Sequence, residues 1–196
     1  MSLTAEQLAS ELAPLAAADY IPLPPQPKPA PAAAKPAAAS AADGAATPAP
    51  APAPVAPPPF PPPPSNPIQV CDFAAKGTHL DATVAADKVV EAARIMDRHG
   101  FAIDAVTGMD WLAQDLMEVV YDYLHFQTGM RVSIRARLPR SQPRIATISK
   151  VFAGANWHER EAHDFFGIDF AGHPDLTPFL LPEDADYHPL RKDFSL

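Results

Sequence analysis

The chain has 196 residues, a formal charge of −8, 26 prolines and one cysteine, and 47% of it is hydrophobic. A single cysteine excludes an intramolecular disulfide, a thiolate-held iron–sulfur cluster and a Cys-rich zinc site, and no segment carries the basic excess that a nucleic-acid backbone demands. No run of about 18 uncharged apolar residues marks a membrane span, and the first residues do not read as a signal peptide.

Twenty of the 26 prolines precede Ile68, so the composition breaks near residue 67. Three regions follow from this: residues 1–67, a short helix and an Ala/Pro-rich disordered linker; residues 68–172, one domain; and residues 173–196, an extended partner-binding tail. The expected fold class is α/β (α+β), a small sheet with a hairpin and helices packed on it. From residue 68 onward the chain is long enough to bury roughly two thirds of its unfolded surface around one core.

In chain order, Thr4-Ala-Glu-Gln7 reads as a capping box that opens a helix. Leu8, Leu12 and Leu15 share one face of it, and Pro14 limits it to about three turns. Two readings are open, a docking helix for a partner and a fraying terminus. Ile21 to Pro67 cannot bury enough apolar surface to offset chain entropy, and Pro59 to Pro64 favours polyproline II, a semi-rigid tether.

A helix is expected over Thr83 to His99, where Ala86, Val89, Val90, Ala93 and Met96 recur at helical spacing, with Gly100 after its end. Phe101 to Val106 reads as a strand. Leu116 to Phe126 and Arg131 to Leu138 read as a hairpin through Gln127-Thr-Gly129. In the second arm Val132, Ile134, Ala136 and Leu138 alternate with Arg131, Ser133, Arg135 and Arg137. The first set predicts a core face, the second a row of arginines read as a solvated face in preference to an interface. Thr147 to Phe152 suggests a helical turn, and Ile168 to Phe170 a short strand.

The stretch NWHEREAHDFFGIDF, Asn156 to Phe170, carries the densest chemistry. Asn156 with Glu159 three residues on predicts an N-cap, and Gly167 a C-terminal stop. Zincin chemistry needs histidines four apart; His158 and His163 are five apart, about 140° around the helix. A site built on Glu159 and His163 would need a third ligand such as His173 or His188. On the helical wheel Trp157, Ala162, Phe165 and Phe166 form the apolar side, and Glu159, Arg160, His163 and Asp164 the polar one. Glu161 falls on the apolar side, so it is expected in a buried structural ion pair, with a ladder arginine as one candidate partner. No nucleophile elbow, P-loop or dinucleotide-binding fingerprint occurs, and no catalytic constellation is expected.

Residues 156–196 hold nine acids against three bases. Prolines 174, 178, 182 and 189 forbid long regular elements there. Leu176, Phe179, Leu180, Leu181 and Leu190 would waste apolar surface in water, so a neighbouring surface is expected to cover them.

The ordered set Glu159-Arg-Glu161, Asp164, Phe166-Gly-Ile168, Phe170, Gly172-His-Pro-Asp-Leu176, Pro182-Glu-Asp184 and His188-Pro-Leu-Arg-Lys-Asp-Phe194 resembles the C-subunit family of NADH-quinone oxidoreductase. Gly154-Ala-Asn-Trp157 and the hairpin end Arg137-Leu-Pro139 extend the resemblance over most of residues 80–196, but not to the Ala/Pro head. It implies a small α/β domain without a cofactor of its own in the hydrophilic arm of respiratory complex I. Its partners would be the iron–sulfur-cluster subunit and the quinone-site subunit, with FMN, iron–sulfur clusters and quinone all in other subunits of the complex. The chain would then be peripheral, on the cytoplasmic face of a bacterial cell membrane. His173, Asp175, His188 and Arg191 are the residues expected at the partner interface.

Thr177-Pro178 stands where the family has two arginines, and Ala185 where it has Trp. A related subunit of membrane-bound nickel–iron hydrogenases, with a NiFe centre in a partner, is therefore the alternative. A free-standing metal-binding or hydrolytic domain centred on His158, Glu159 and His163 is the second alternative.

Overall fold

A computed structural model describes residues 3–23 and 66–195. The chain divides into two units, Met1–Tyr20 with Ser65–Leu196, and Ile21–Pro64. All elements named below belong to the first. The disordered tether read from the sequence lies almost wholly outside the described residues.

The N-terminal helix α1 (Ala5–Leu12) has the expected capping box: Thr4 accepts from Gln7 N–H while the Gln7 side chain accepts from Thr4 N–H. Leu8 and Leu12 are fully buried and Leu15 nearly so. They bury against this chain, not a partner, because α1 packs on strands β1 (Ile68–Val70) and β2 (Leu80–Val84). Ala17 N–H donates to Thr83 C=O and Ala85 N–H to Leu15 C=O, which ties the segment to the end of β2. This helix therefore belongs to the folded unit and not to the proline-rich segment.

After the single turn α2 (Phe73–Lys76) come β2, α3 (Val89–Arg98), β3 (Ala102–Trp111), β4 (Leu116–His125) and β5 (Met130–Pro139). Among the described residues five strands form one sheet in the order β1-β2-β5-β4-β3, antiparallel except for the β2–β5 pair. The helix predicted from Thr83 starts six residues later. Leu80, Ala82 and Val84 alternate inward as a strand in register with Val132, Ile134 and Ala136, and Ala86–Lys88 make a 3-10 turn before α3.

The hairpin of β4 and β5 has the expected arms, with Met117, Val119, Tyr121 and Tyr123 opposite Leu138, Ala136, Ile134 and Val132. All eight are buried, and Val89, Ala92, Ala93 and Met96 of α3 join the same cluster. The other face is not simply a solvated arginine row. Glu118, 1% exposed, sits between Arg137 at 3.2 Å and Arg135 at 3.4 Å, and Arg135 also holds Asp81 at 2.8 Å. Burial opposes the Arg135 charge, but Asp81 and Glu118 outweigh it and raise its pKa.

A second, two-stranded parallel sheet pairs β6 (Arg144–Ala146) with β7 (Asp169–Ala171), and helix α4 (Ala155–Phe166) is the crossover between them. Residues 149–151 form the expected single turn, closed by the N–H groups of Val151 and Phe152 on the Ile148 carbonyl. The helix begins one residue before Asn156, with Gly154 as N-cap and no side-chain cap. Ala155 N–H donates to Phe152 C=O and Asn156 N–H to Ala153 C=O, so the preceding turn satisfies these donors and Asn156 is not needed for capping. Gly167 ends α4 as expected, at φ +71°, a left-handed conformation that favours glycine.

Candidate partner interface

The wheel of α4 is turned relative to the expectation. Its buried residues are Ala155, Glu159, Ala162 and Asp164, whereas Trp157 is 56% exposed. Two alanines let the helix approach the sheet closely, and at β3 the Phe166 ring presses on Gly108, where any Cβ would collide with it. The carboxylates carried inward find donors instead of cations. Glu159 accepts from Thr147 Oγ1 and, at 2.8 Å, from Ile148 N–H. Burial raises its pKa to about 7, although both hydrogen bonds pull downward. The capping role assigned to Glu159 is thus replaced by one in the interior. Glu161, expected to be buried in an ion pair, is exposed instead, because the inner positions of the helix are 155, 159 and 162.

Asp164 organises the tail. One carboxylate oxygen accepts the backbone N–H groups of Phe179 and Leu180 at 2.7 Å each and of Leu181 at 3.3 Å. Arg160 donates to the Thr177 and Pro178 carbonyls and lies over the rings of Trp157 and Phe179 at 5.2 Å. Those two rings sit 4.9 Å apart.

Three of the four residues expected at a partner interface hold the tail to α4 of the same chain. His173 Nε2 meets the Asn156 carbonyl at 3.2 Å and lies 3.8 Å from Glu159, with its side chain fully buried. His188 Nδ1 meets the Asp164 carbonyl at 2.8 Å, and Arg191 donates to the Phe166 carbonyl at 2.8 Å. His188 and Arg191 thereby lie directly over Gly167. The fourth, Asp175, is exposed and accepts from Thr177 N–H and Oγ1; these bonds, the backbone one first, hold its carboxyl below the usual range.

Farther along, Lys192 N–H donates to Asp110 at 2.7 Å, and Arg140 joins the fully buried Asp110 carboxylate through two bonds of 2.8 and 3.0 Å. Burial pushes the Asp110 pKa upward, but Arg140 and Lys192 N–H bring it below the ordinary value. Sequence reasoning missed Asp110 and Arg140, which are thirty residues apart and carry no local motif.

The tail is thus pinned through its backbone and its polar side chains, and Leu176 packs against the core. Other apolar side chains face outward: Phe179, Leu180, Tyr187 and Leu190 are exposed, with Leu180 at 53% and Leu190 at 51%. Trp157 extends the same patch through its contact with Phe179. An apolar strip tied down by polar bonds while facing water is the kind of surface that another protein covers.

His158, Glu159 and His163 do not converge. His158 lines a groove beside β3, Glu159 faces Thr147, and His163 Nδ1 meets the Ile168 carbonyl at 2.9 Å. Among the described residues no three His, Cys, Asp or Glu side chains gather as a metal site, and no helix is long and apolar enough to cross a membrane.

A family model described as the 30 kDa subunit of the respiratory-chain NADH dehydrogenase matches residues 82–196. The C-subunit of the NADH-quinone oxidoreductase of Roseiflexus castenholzii is 37% identical over 123 residues, 60% of this chain and 70% of that one. The C-subunit of the F420H2 dehydrogenase of Methanosarcina mazei is 40% identical over 91 residues, 46% of this chain and 58% of its own length. A chain of the membrane-bound sulfane sulfur reductase, an archaeal respiratory membrane complex, superposes with a TM-score of 0.55 at 30% identity, covering 60% of this chain and 72% of that one.

Proposed function

Because the chain belongs to the family of the 30 kDa subunit of the respiratory-chain NADH dehydrogenase, we propose that it is a scaffold subunit in the hydrophilic arm of an NADH-quinone oxidoreductase, with no catalytic residue of its own. On this reading the tail and α4 pack against the iron–sulfur-cluster subunit and the quinone-site subunit. FMN, the clusters and quinone reside in other subunits of the complex, and the chain is held at the cytoplasmic face of the membrane only through its partners. Its contribution to electron transfer from NADH to quinone, and to the coupled ion translocation, is to fix the geometry of subunits that carry the redox centres.

The observation that carries this reading is the division of labour in the tail: polar groups inward on α4, and Phe179, Leu180, Tyr187 and Leu190 outward and exposed. A self-sufficient domain gains nothing from ordering such a strip in water.

The likeness to the archaeal sulfane sulfur reductase subunit and to the F420H2 dehydrogenase subunit favours a second reading, the same scaffold in a membrane complex fed by another donor. A membrane-bound hydrogenase with a NiFe centre is one such complex. Purifying the native assembly through a tag on the full chain, and identifying its subunits, separates the two. Flavin and NADH-binding subunits support the first, and a metal-binding hydrogenase-type large subunit without them supports the second. A chain that purifies alone refutes both.

A further inference from the structure

Every acid of α4 but one is satisfied within the chain. Glu159 has Thr147 and Ile148, and Asp164 has three tail amides. Glu161 is exposed and makes no hydrogen bond or ion pair among the described residues. It stands at a groove of about 270 Å³ between β3 and α4, whose apolar lining includes Gly108, Ala162, Phe165, Phe166 and Leu190.

Gly108 has no positive φ, so glycine is present there for space: any Cβ would lie within 3.0 Å of the Phe166 ring. Leu190 belongs to the tail, and its N–H donates to the Phe165 carbonyl at 3.1 Å, so this side of the groove exists only when the tail is docked. Glu161 is the one carboxylate in the lining, and His158 is its other titratable side chain. Residues 156–196 carry nine acids and three bases, and two of those bases, Arg160 and Arg191, are already bonded to backbone carbonyls.

We propose that this groove is a socket for a lysine or arginine of a neighbouring protein subunit, the aliphatic stem lying on Ala162, Phe166 and Leu190 and the charge meeting Glu161. The inference rests on the scaffold reading and adds the chemistry of the contact. Lys and Arg alone among side chains combine an apolar stem of this length with a cationic end. An anionic lipid surface or a nucleic acid would meet a like charge at Glu161. Because the tail builds one wall, the socket also makes partner binding conditional on tail docking.

The test uses the full chain in its native assembly and follows how much of it stays bound as salt is raised. Three variants are compared with wild type: Glu161→Gln, Glu161→Lys, and Glu91→Lys on α3, which makes the same charge change at a distant exposed position. The expected result is that Glu161→Lys weakens retention at least about tenfold, that Glu161→Gln weakens it less and flattens its salt dependence, and that Glu91→Lys behaves as wild type. Unchanged melting of the isolated Glu161 variants shows that the fold is intact. Wild-type retention in both Glu161 variants overturns the socket, as does an equal loss in Glu161→Lys and Glu91→Lys. If the wild-type chain itself retains no partner, the scaffold reading fails first.

Discussion

Asp164 and Leu180 are joined by a 2.7 Å bond from a backbone N–H to a carboxylate, and the same oxygen also takes Phe179 and Leu181. A side chain on the helix thereby fixes the path of a segment that has no regular structure of its own. Asp164→Ala removes the acceptor from three amides at once. Hydrogen bonds to a charged group contribute about 1.5–3 kcal/mol each, so the tail should detach locally while the sheet stays folded. Hydrogen exchange at residues 179–181 should accelerate by more than tenfold, and Asp164→Asn, which keeps an oxygen, should do less. Unchanged protection in Asp164→Ala would show that the amides are held by something else.

Glu159 makes stability pH-dependent with an unusual sign. Its folded pKa of about 7 lies above the ordinary 4.5, so between these values the native state keeps a proton that the unfolded chain releases. The stability contribution is complete below about pH 4.5 and declines as pH rises towards 7, by at most about 1.4 kcal/mol per pH unit. Tyr121 and Tyr123 from β4 and His173 from the tail face the same group. Glu159→Gln keeps one acceptor oxygen for the two donors, Thr147 Oγ1 and Ile148 N–H, and removes the titration. Urea unfolding of both proteins from pH 5 to 8 should show the variant gaining on wild type as pH rises; parallel curves would contradict the buried carboxyl.

Gly167 and Gly77 allow a matched comparison. Both have φ near +70°, but an added Cβ at Gly77 meets nothing within 4 Å, while at Gly167 it would run into His188 and Arg191. Gly77→Ala should cost only the left-handed penalty of about 1–2 kcal/mol. Gly167→Ala should cost that and also displace both tail anchors, which calorimetry with the exchange rates of residues 188–194 would register. Equal losses at the two positions would mean that the anchors do not pack on the glycine.

The pair Arg140–Asp110 should be the costliest to break. Asp110 has no side-chain exposure, and removing its cation leaves a buried charge uncompensated. Arg140→Met should lose about 3–5 kcal/mol near pH 7. Since the folded Asp110 pKa is lowered, the stability it supplies is present above its unfolded pKa and is lost as pH falls through the folded one. The gap between variant and wild type should therefore narrow in acid, and a gap independent of pH would assign the loss to packing alone.

Much of this architecture is written in local sequence. The capping box at Thr4, the alternation from Val132 to Leu138 and the stop at Gly167 follow from short-range geometry, and the structure has all three. The inner face of α4 is different. The helical wheel assigns Glu159 and Asp164 outward, and only partners distant in the chain reverse that: Thr147 lies twelve residues before Glu159, and Phe179 fifteen after Asp164. The strand β2 was hidden for a similar reason, since its apolar residues run straight into a helical pattern and only pairing with β5 makes it a strand. His173, His188 and Arg191 stood out as chemistry in the tail, but their acceptors are carbonyls of α4, which no side-chain pattern encodes.

The central claim is that the pinned tail shows its apolar side to another subunit. Replacing Leu180 with serine leaves every anchor of the tail in place and changes only outward surface. Co-purification of the variant with its native assembly, measured beside the melting temperature of the isolated chain, tests this most directly. The account predicts a sharp loss of assembly with unchanged melting; full assembly, or a fall in melting temperature that accounts for the loss, would contradict it.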